Sequence, residues 1–260
     1  MPVLLKRCIT GAAYTPFDAD QPDYFRGGQN YYEFRAGRCL WEPGYDHITS
    51  ATQERKTAGR IPDIITVRTI RVCSQRFKDF VESWEPGLHF FEPFTLRRKT
   101  GEDLGAWYKY SVGQDIDCLL TAGVEQHFSS YPDHDGGTRW NFDIGNAVKH
   151  AHYSQQHPDK ADTPPLRVSG AAIEGAHWWT MGLLGLHGVD SPMLMSDAMY
   201  AAFRKEKFRE FDDLGRVEIA DQPWRAEENM GPMLDQWRAR EAEIARRWPA
   251  DPPRRGRAAG

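Results

Sequence analysis

The chain has 260 residues, of which 40% are hydrophobic and 27% charged, with a formal net charge of -4. That length supports one large domain or two small ones with an ample core. The acidic balance argues against nucleic acid as a partner, because phosphate neutralisation needs a basic surface, and no apolar run approaches the roughly 20 residues of a membrane helix.

The first residues, Met1-Pro2-Val3-Leu4-Leu5-Lys6-Arg7, carry too short an apolar run for a secretory signal, so the expected location is cytoplasmic. Cys8, Cys39, Cys73 and Cys118 are widely spread without a C-x-x-C pair and read as reduced, structural thiols. Residues 1–60 are rich in Gly, Pro, Asp and aromatics, with a strand predicted at Asn30–Arg35 and turn signals at Gly37 and Pro43-Gly44. Asp63–Ile70 is β-branched but interrupted by Thr and Arg, and reads either as a strand or as a connection into the segment that starts at Val72.

From Val72 the pattern sharpens. Val72-Cys73-Ser74 is an apolar run closed by serine. Phe77, Phe80, Val81 and Trp84 then recur at helical spacing until Glu85-Pro86-Gly87. Leu88–Leu96 predicts a strand, with Pro93 indicating an edge or a bulge. Trp107–Val112 and Ile116–Leu120 read as the next strand and its continuation. Residues 129–170 read as long loops with one short strand near Trp140–Asp143, and Pro158–Pro165 as a surface loop.

A second copy of the strand–serine–helix pattern lies at Leu194-Met195-Ser196, with Met199, Ala202 and Phe203 buried and Tyr200 alongside, leading to Phe208 and Phe211. Only the serine is identical between the two ten-residue copies. Each serine reads as a helix cap that accepts a hydrogen bond from a first-turn amide, and neither has a recognisable base beside it in sequence. Past Asp221, Asn229-Met230-Gly231-Pro232 offers a helix start. Leu234, Trp237, Ile244 and Trp248 then recur at helical spacing, and Pro249–Gly260 reads as a disordered tail.

Chemistry-bearing motifs are sparse. Seven of the nine histidines lie between His127 and His187, and His150-Ala151-His152 places two imidazoles on one face of a strand. With Asp133, Asp135, Asp143 or His157 they offer a metal-dependent hydrolase as the alternative function. The segment has neither H-E-x-x-H nor a following Asp-His, and polar loops attract histidine without a metal, so no metal ligand is assigned. Asp133-His134-Asp135-Gly136-Gly137 fails as an EF-hand, since Thr138 and Ile144 stand at the sixth and twelfth positions. Ser169-Gly170 lacks the first glycine of G-x-S-x-G, because Arg167 occupies it, and no phosphate or dinucleotide loop is present. No catalytic residue and no cofactor is expected. His177-Trp178-Trp179 reads as core filler, with a binding hot spot as its other reading.

Three segments together resemble a known family. They are Val72-Cys73-Ser74 with Gly87-Leu88-His89-Phe90; Tyr108–Val112 with Ile116-Asp117-Cys118-Leu119; and His177-Trp178-Trp179 with Leu194-Met195-Ser196-Asp197, ending near Phe211. They are similar to the immunity proteins of the family numbered eleven among those guarding bacterial polymorphic toxin systems. The likeness spans roughly residues 25–220, without residues 129–170 and without the segment after Asp221. It implies a non-enzymatic protein of interbacterial competition that neutralises a cognate toxin domain, encoded by a neighbouring gene, through protein–protein binding.

The resulting expectation is an α+β fold of two related lobes within residues 1–221. Each lobe is a small, mostly antiparallel sheet with a Ser-capped helix; a helical extension covers 222–248 and a disordered tail 249–260. The expected contact residues are Tyr131, Asp133, Asp135, Trp140, Asp143, Trp178 and Trp179, with the 232–248 helix as a rival docking element. Neither a membrane nor a nucleic acid is expected as a partner.

Overall fold

The computed structural model describes residues 1–7, 17–20, 49–54, 61–67, 70–132, 136–144, 146–147, 164–181, 193–208 and 210–247. The strand expected at Asn30–Arg35, the turns at Gly37 and Pro43-Gly44, Cys8, Cys39, Pro158–Thr163 and the tail lie outside these residues. The fold is α+β. Its contacts divide it into unit one (residues 1–6, 115–200 and 213–260) and unit two (7–114 and 201–212).

Unit two is built on a six-stranded sheet. Its strands in chain order are β2 (Phe17–Ala19), β3 (Ser50–Gln53), β4 (Ile64–Val67), β5 (Ile70–Ser74), β6 (Phe90–Arg97) and β7 (Trp107–Ser111), arranged β2-β3-β6-β7-β5-β4. All neighbours are antiparallel except β3 with β6. Strand register separates the side chains by face. Ile65, Val67, Val72, Phe94, Leu96 and Trp107 share one face and form a buried cluster with Phe17 and Ala51. Cys73, Tyr108 and Tyr110 point to the other, where helix α1 (Gln75–Trp84) lays Phe77 against Tyr110 with ring centroids 5.7 Å apart. Phe77 also meets Phe203, Phe208 and Phe211 edge-on, so an aromatic cluster fixes the helix from both sides.

Pro93 is tolerated for a readable reason. Thr95 donates its amide toward β3, so Pro93, two residues earlier, turns its missing N–H to the same side. Among the described residues β3 pairs with residues 95–97 of β6, and none pairs with Pro93 on that side.

The Gly87-Leu88-His89 step closes the helix onto the sheet. His89 Nδ1 accepts from the Gly113 amide (3.1 Å), so Nε2 carries the proton and donates to Glu85 (2.7 Å), whose other oxygen accepts from Gln114 (2.5 Å). All three side chains are buried. Gly113 is required by this approach, since a Cβ there would stand 1.8 Å from the Leu88 carbonyl oxygen.

Among the described residues, three further sheets have most of their strands in unit one. The first runs β12 (Trp178–Thr180), β13 (Met193–Met195), β1 (Val3–Arg7), β14 (Phe211–Arg216). The second runs β15 (Glu218–Ala220), β11 (Arg167–Ser169), β8 (Leu119–Leu120). The third is the hairpin of β9 (Phe128–Pro132) and β10 (Thr138–Phe142). Ile116–Leu120 therefore does not continue β7; its strand belongs to another sheet. The segment 222–247, expected as an extension, is part of the unit-one core. Helices α3 (Ala226–Asn229) and α4 (Leu234–Arg247), with the 3-10 turn Gly231–Met233 between them, supply Ala226, Met230 and Met233, with Leu234 and Trp237 packed alongside. Asn229, itself buried, accepts the Thr121 amide through its side chain and the Thr121 hydroxyl through its carbonyl, which fixes this segment to the end of β8.

Both serines cap helices. Ser74 accepts from the Phe77 amide and Ser196 from the Met199 amide, each at 3.3 Å. The likeness goes further than sequence shows. Ser74 N–H donates to the Asp63 carbonyl, and Ser196 N–H to the His177 carbonyl, both at 2.8 Å. The side chains of Asp63 and His177 then bond the respective cap hydroxyls at 2.6 and 2.9 Å. Each copy is thus an antiparallel strand pair whose first strand is preceded by the polar residue that holds the cap of the following helix. The second helix, α2 (Asp197–Lys205), is not confined to one lobe, since residues 197–200 fall in unit one and 201–205 in unit two.

Gly113→Ala should lower stability by on the order of 3 kcal/mol, because the added methyl must displace backbone and break the His89 bond. Gly101→Ala, at positive φ but in open space, should cost only about 1 kcal/mol. Urea denaturation of the two variants measures the difference.

Candidate protein-binding surface

The β9–β10 hairpin brings together part of the expected contact set. Its register pairs Thr138 with Pro132, Arg139 with Tyr131, Trp140 with Ser130, Asn141 with Ser129 and Phe142 with Phe128. Both strands form where loops and one short strand were expected. The two serines and Pro132 give β9 little β propensity of its own, and pairing with β10 overrides that.

Alternation sorts the hairpin into two faces. Phe128, Trp140 and Phe142 lie on the inner one, with the Phe128 and Phe142 rings 5.1 Å apart and edge-on, Phe142 buried, and Phe128 and Trp140 packed on the unit-one core. Ser129, Tyr131, Arg139 and Asn141 lie on the outer face, all exposed except the half-buried Asn141. The outer edge of β10 is held by α4. Gln236 accepts the Trp140 amide (2.7 Å) and donates to the Trp140 carbonyl (3.1 Å), filling the place of a neighbouring strand. Gly231 approaches so closely that a Cβ would come within 3.0 Å of the Phe128 ring. The base is therefore fixed while residues 129–132 and 136–139 remain exposed.

The other expected contact residues have different places. Trp140 faces inward and serves as an anchor. Asp143 caps a helical turn and spends both carboxylate oxygens on Asn146. Trp178 and Trp179 are fully buried on opposite faces of β12. Trp179 aligns with Leu194 and Leu4 toward the core, and Trp178 with Met195 and Val3 on the reverse. A strand buried on both faces needs consecutive large apolar residues, so this pair is core and offers no contact surface. Asp133 and Asp135 lie outside the described residues, as do His150, His152 and His157 of the metal alternative. Among the described residues no group of three or more His, Cys, Asp or Glu side chains is placed to hold a metal ion, and no helix is long and apolar enough to cross a membrane.

At Ser196 the structure departs from expectation. No base was expected beside it, yet His177 Nδ1 lies 2.9 Å from its hydroxyl. Asp63 occupies the corresponding place beside Ser74, and a carboxylate there ties the cap without any nucleophile being needed. Ser196 Oγ also accepts the Met199 amide. The pair reads as a cap tie. Sequence offered no signal, because His177 stands 19 positions before the serine and the first copy uses a different residue type.

The two described cysteines are chemically quiet. Burial pushes the Cys73 thiol well above its ordinary range, and pushes Cys118 up to about 12. With a raised pKa the protonated form persists through neutral and mildly alkaline pH, and the thiol is not the nucleophile.

These elements define an α+β protein that carries a rigidly based, exposed hairpin. No family model matches the chain, and no curated protein matches it.

Iodoacetamide at pH 8 should leave Cys73 and Cys118 unmodified in the native protein and modify both in urea, read by peptide mass spectrometry. A fluorophosphonate should leave Ser196 unlabelled; labelling would show a nucleophile and overturn the cap reading.

Proposed function

We propose that the chain is an immunity-type protein that binds and neutralises a cognate bacterial toxin domain, presenting the outer face of the β9–β10 hairpin. The observation that carries this reading is the exposed Tyr131–Arg139 cross-strand pair on an element whose inner face and edge are fixed by Phe142, Trp140 and Gln236. Tyr and Arg are the residue types that dominate binding energy at protein interfaces. Flanking Ser and Asn add adaptable hydrogen bonding, and a pre-ordered element loses little entropy on docking. The resemblance of the Ser-capped units to the immunity family supplies the biological class, and the net charge of -4 suits a basic partner through electrostatic steering.

The test is co-expression with the toxic domain encoded beside the gene. Growth rescue and a co-purifying complex are expected. Tyr131→Ala and Arg139→Ala should each weaken the complex roughly tenfold, about 1.4 kcal/mol, without altering the urea midpoint. No complex and no rescue with the wild-type chain would sink the proposal; equal affinity of both variants would remove the hairpin from it.

A further inference from the structure

Trp224 and Trp237, both half-buried in unit one, stand with ring centroids 5.7 Å apart and planes tilted by 57°. Each indole N–H is turned inward and spent. Trp224 donates to the Leu119 carbonyl (3.2 Å) and Trp237 to the Asp117 carboxylate (2.9 Å). Neither ring has a hydrogen left to donate outward, so what the pair offers a partner is aromatic face, the electron-rich part of an indole.

The chain's treatment of its other aromatic rings gives a contrast. Arg76 lies 4.2 Å over Phe208, Lys78 4.4 Å over Tyr108, and Arg216 5.2 Å over Tyr200. Among the residues whose side chains are described, no cation of the chain lies over Trp224 or Trp237. The two arginines nearest in sequence are engaged elsewhere, Arg225 with Glu228 (3.3 Å) and Arg238 with Glu227 (3.2 Å) and Asp235 (3.8 Å).

The surroundings favour a cation. Residues 221–238 carry Asp221, Glu227, Glu228 and Asp235 against Arg225 and Arg238. Asp117 adds a carboxylate whose only hydrogen-bond donor among the described residues is the Trp237 indole, and one of its oxygens is buried without a partner. Glu227 is held below the ordinary carboxylate range by its own backbone amide and by Arg238, so its charge persists into mildly acidic solution. An acidic excess in sequence and two half-exposed indole rings thus lie together in this segment.

We infer that the Trp224–Trp237 pair, with Asp117 and its acidic rim, is a docking surface for an arginine side chain in a basic segment of a protein partner. Guanidinium is favoured over ammonium because its plane stacks on indole and it sheds water more easily. This deepens the protein-binding reading by naming a chemistry for the partner, and its test needs no cognate toxin, so the two can fail separately.

The experiment titrates 15N-labelled full-length protein with an acetylated, amidated hexa-arginine peptide and, in parallel, with its hexa-citrulline counterpart. The indole N–H signals of Trp224 and Trp237 are assigned from the spectra of the Trp224→Phe and Trp237→Phe proteins. These two signals should shift saturably with hexa-arginine and stay still with citrulline. The Glu227→Lys/Glu228→Lys double variant, altered only at exposed positions, should raise the apparent Kd at least tenfold, and Asp117→Asn should raise it severalfold. Unmoved indole signals at millimolar peptide, an equal response to citrulline, or unchanged affinity in the charge-reversed protein would each overturn the inference.

Discussion

The structure depends on how helix starts are tied to strands. A helix leaves its first amides without intrahelical partners, and here a serine hydroxyl meets that need twice while being gripped by the residue that opens the neighbouring strand pair. The grip converts a local cap into a tertiary contact. Asp63 shows the extent of the coupling. Its carbonyl takes the Ser74 amide and its carboxylate takes the Ser74 hydroxyl and the Arg76 guanidinium. Its own amide donates to the buried Glu210, 147 residues further along the chain. Arg76 in turn reaches the Glu206 carbonyl and covers the Phe208 ring. One buried carboxylate therefore fixes strand, helix start and the return segment of unit two.

Two different residues perform the same task in the two copies, and that has a physical basis. The cap hydroxyl needs a polar neighbour at one place, and either a carboxylate or an imidazole nitrogen fits it. What is fixed is the backbone: an antiparallel pair in which the serine amide meets the carbonyl of the residue before the first strand. Shared geometry with changed chemistry explains why the repeat is visible in hydrogen bonds and nearly absent from the letters, where only serine matches.

The legible parts of the sequence were those governed by local rules. Ser74 and Ser196 announced helix starts, Phe77 and Val81 announced a buried stripe, and Pro93 announced an edge or a bulge, with no described residue pairing beside it on the β3 side. The parts that were not legible depend on partners far away. The β9 strand is specified by its pairing with β10, whose outer edge Gln236 holds 96 residues beyond Trp140, so Phe128–Pro132 alone reads as a loop. Trp178 and Trp179 carry the residue type of a hot spot, and only the strands on either side decide that both are core. Likewise, the 222–248 segment reads as an extension because nothing local records that Met230 and Met233 enter the core beside Phe142 and Val168.

The same distinction bears on where binding chemistry can sit. In unit one the large apolar side chains sort by the direction of their polar atoms and faces. Trp178 and Trp179 are enclosed in a sheet, and Trp140 is committed to the core through its ring and to α4 through its backbone. Trp224 and Trp237 send their N–H groups inward, as a buried-edge indole must, and keep ring area at the surface. Tyr131 stands on a face that the hairpin's own pleat turns away from the core. A half-exposed aromatic costs free energy in water unless something else covers it, and the chain covers Phe208, Tyr108 and Tyr200 with its own cations. Among the described side chains the tryptophan pair has no such cation over it, and the arginines next to it in sequence are tied to carboxylates instead.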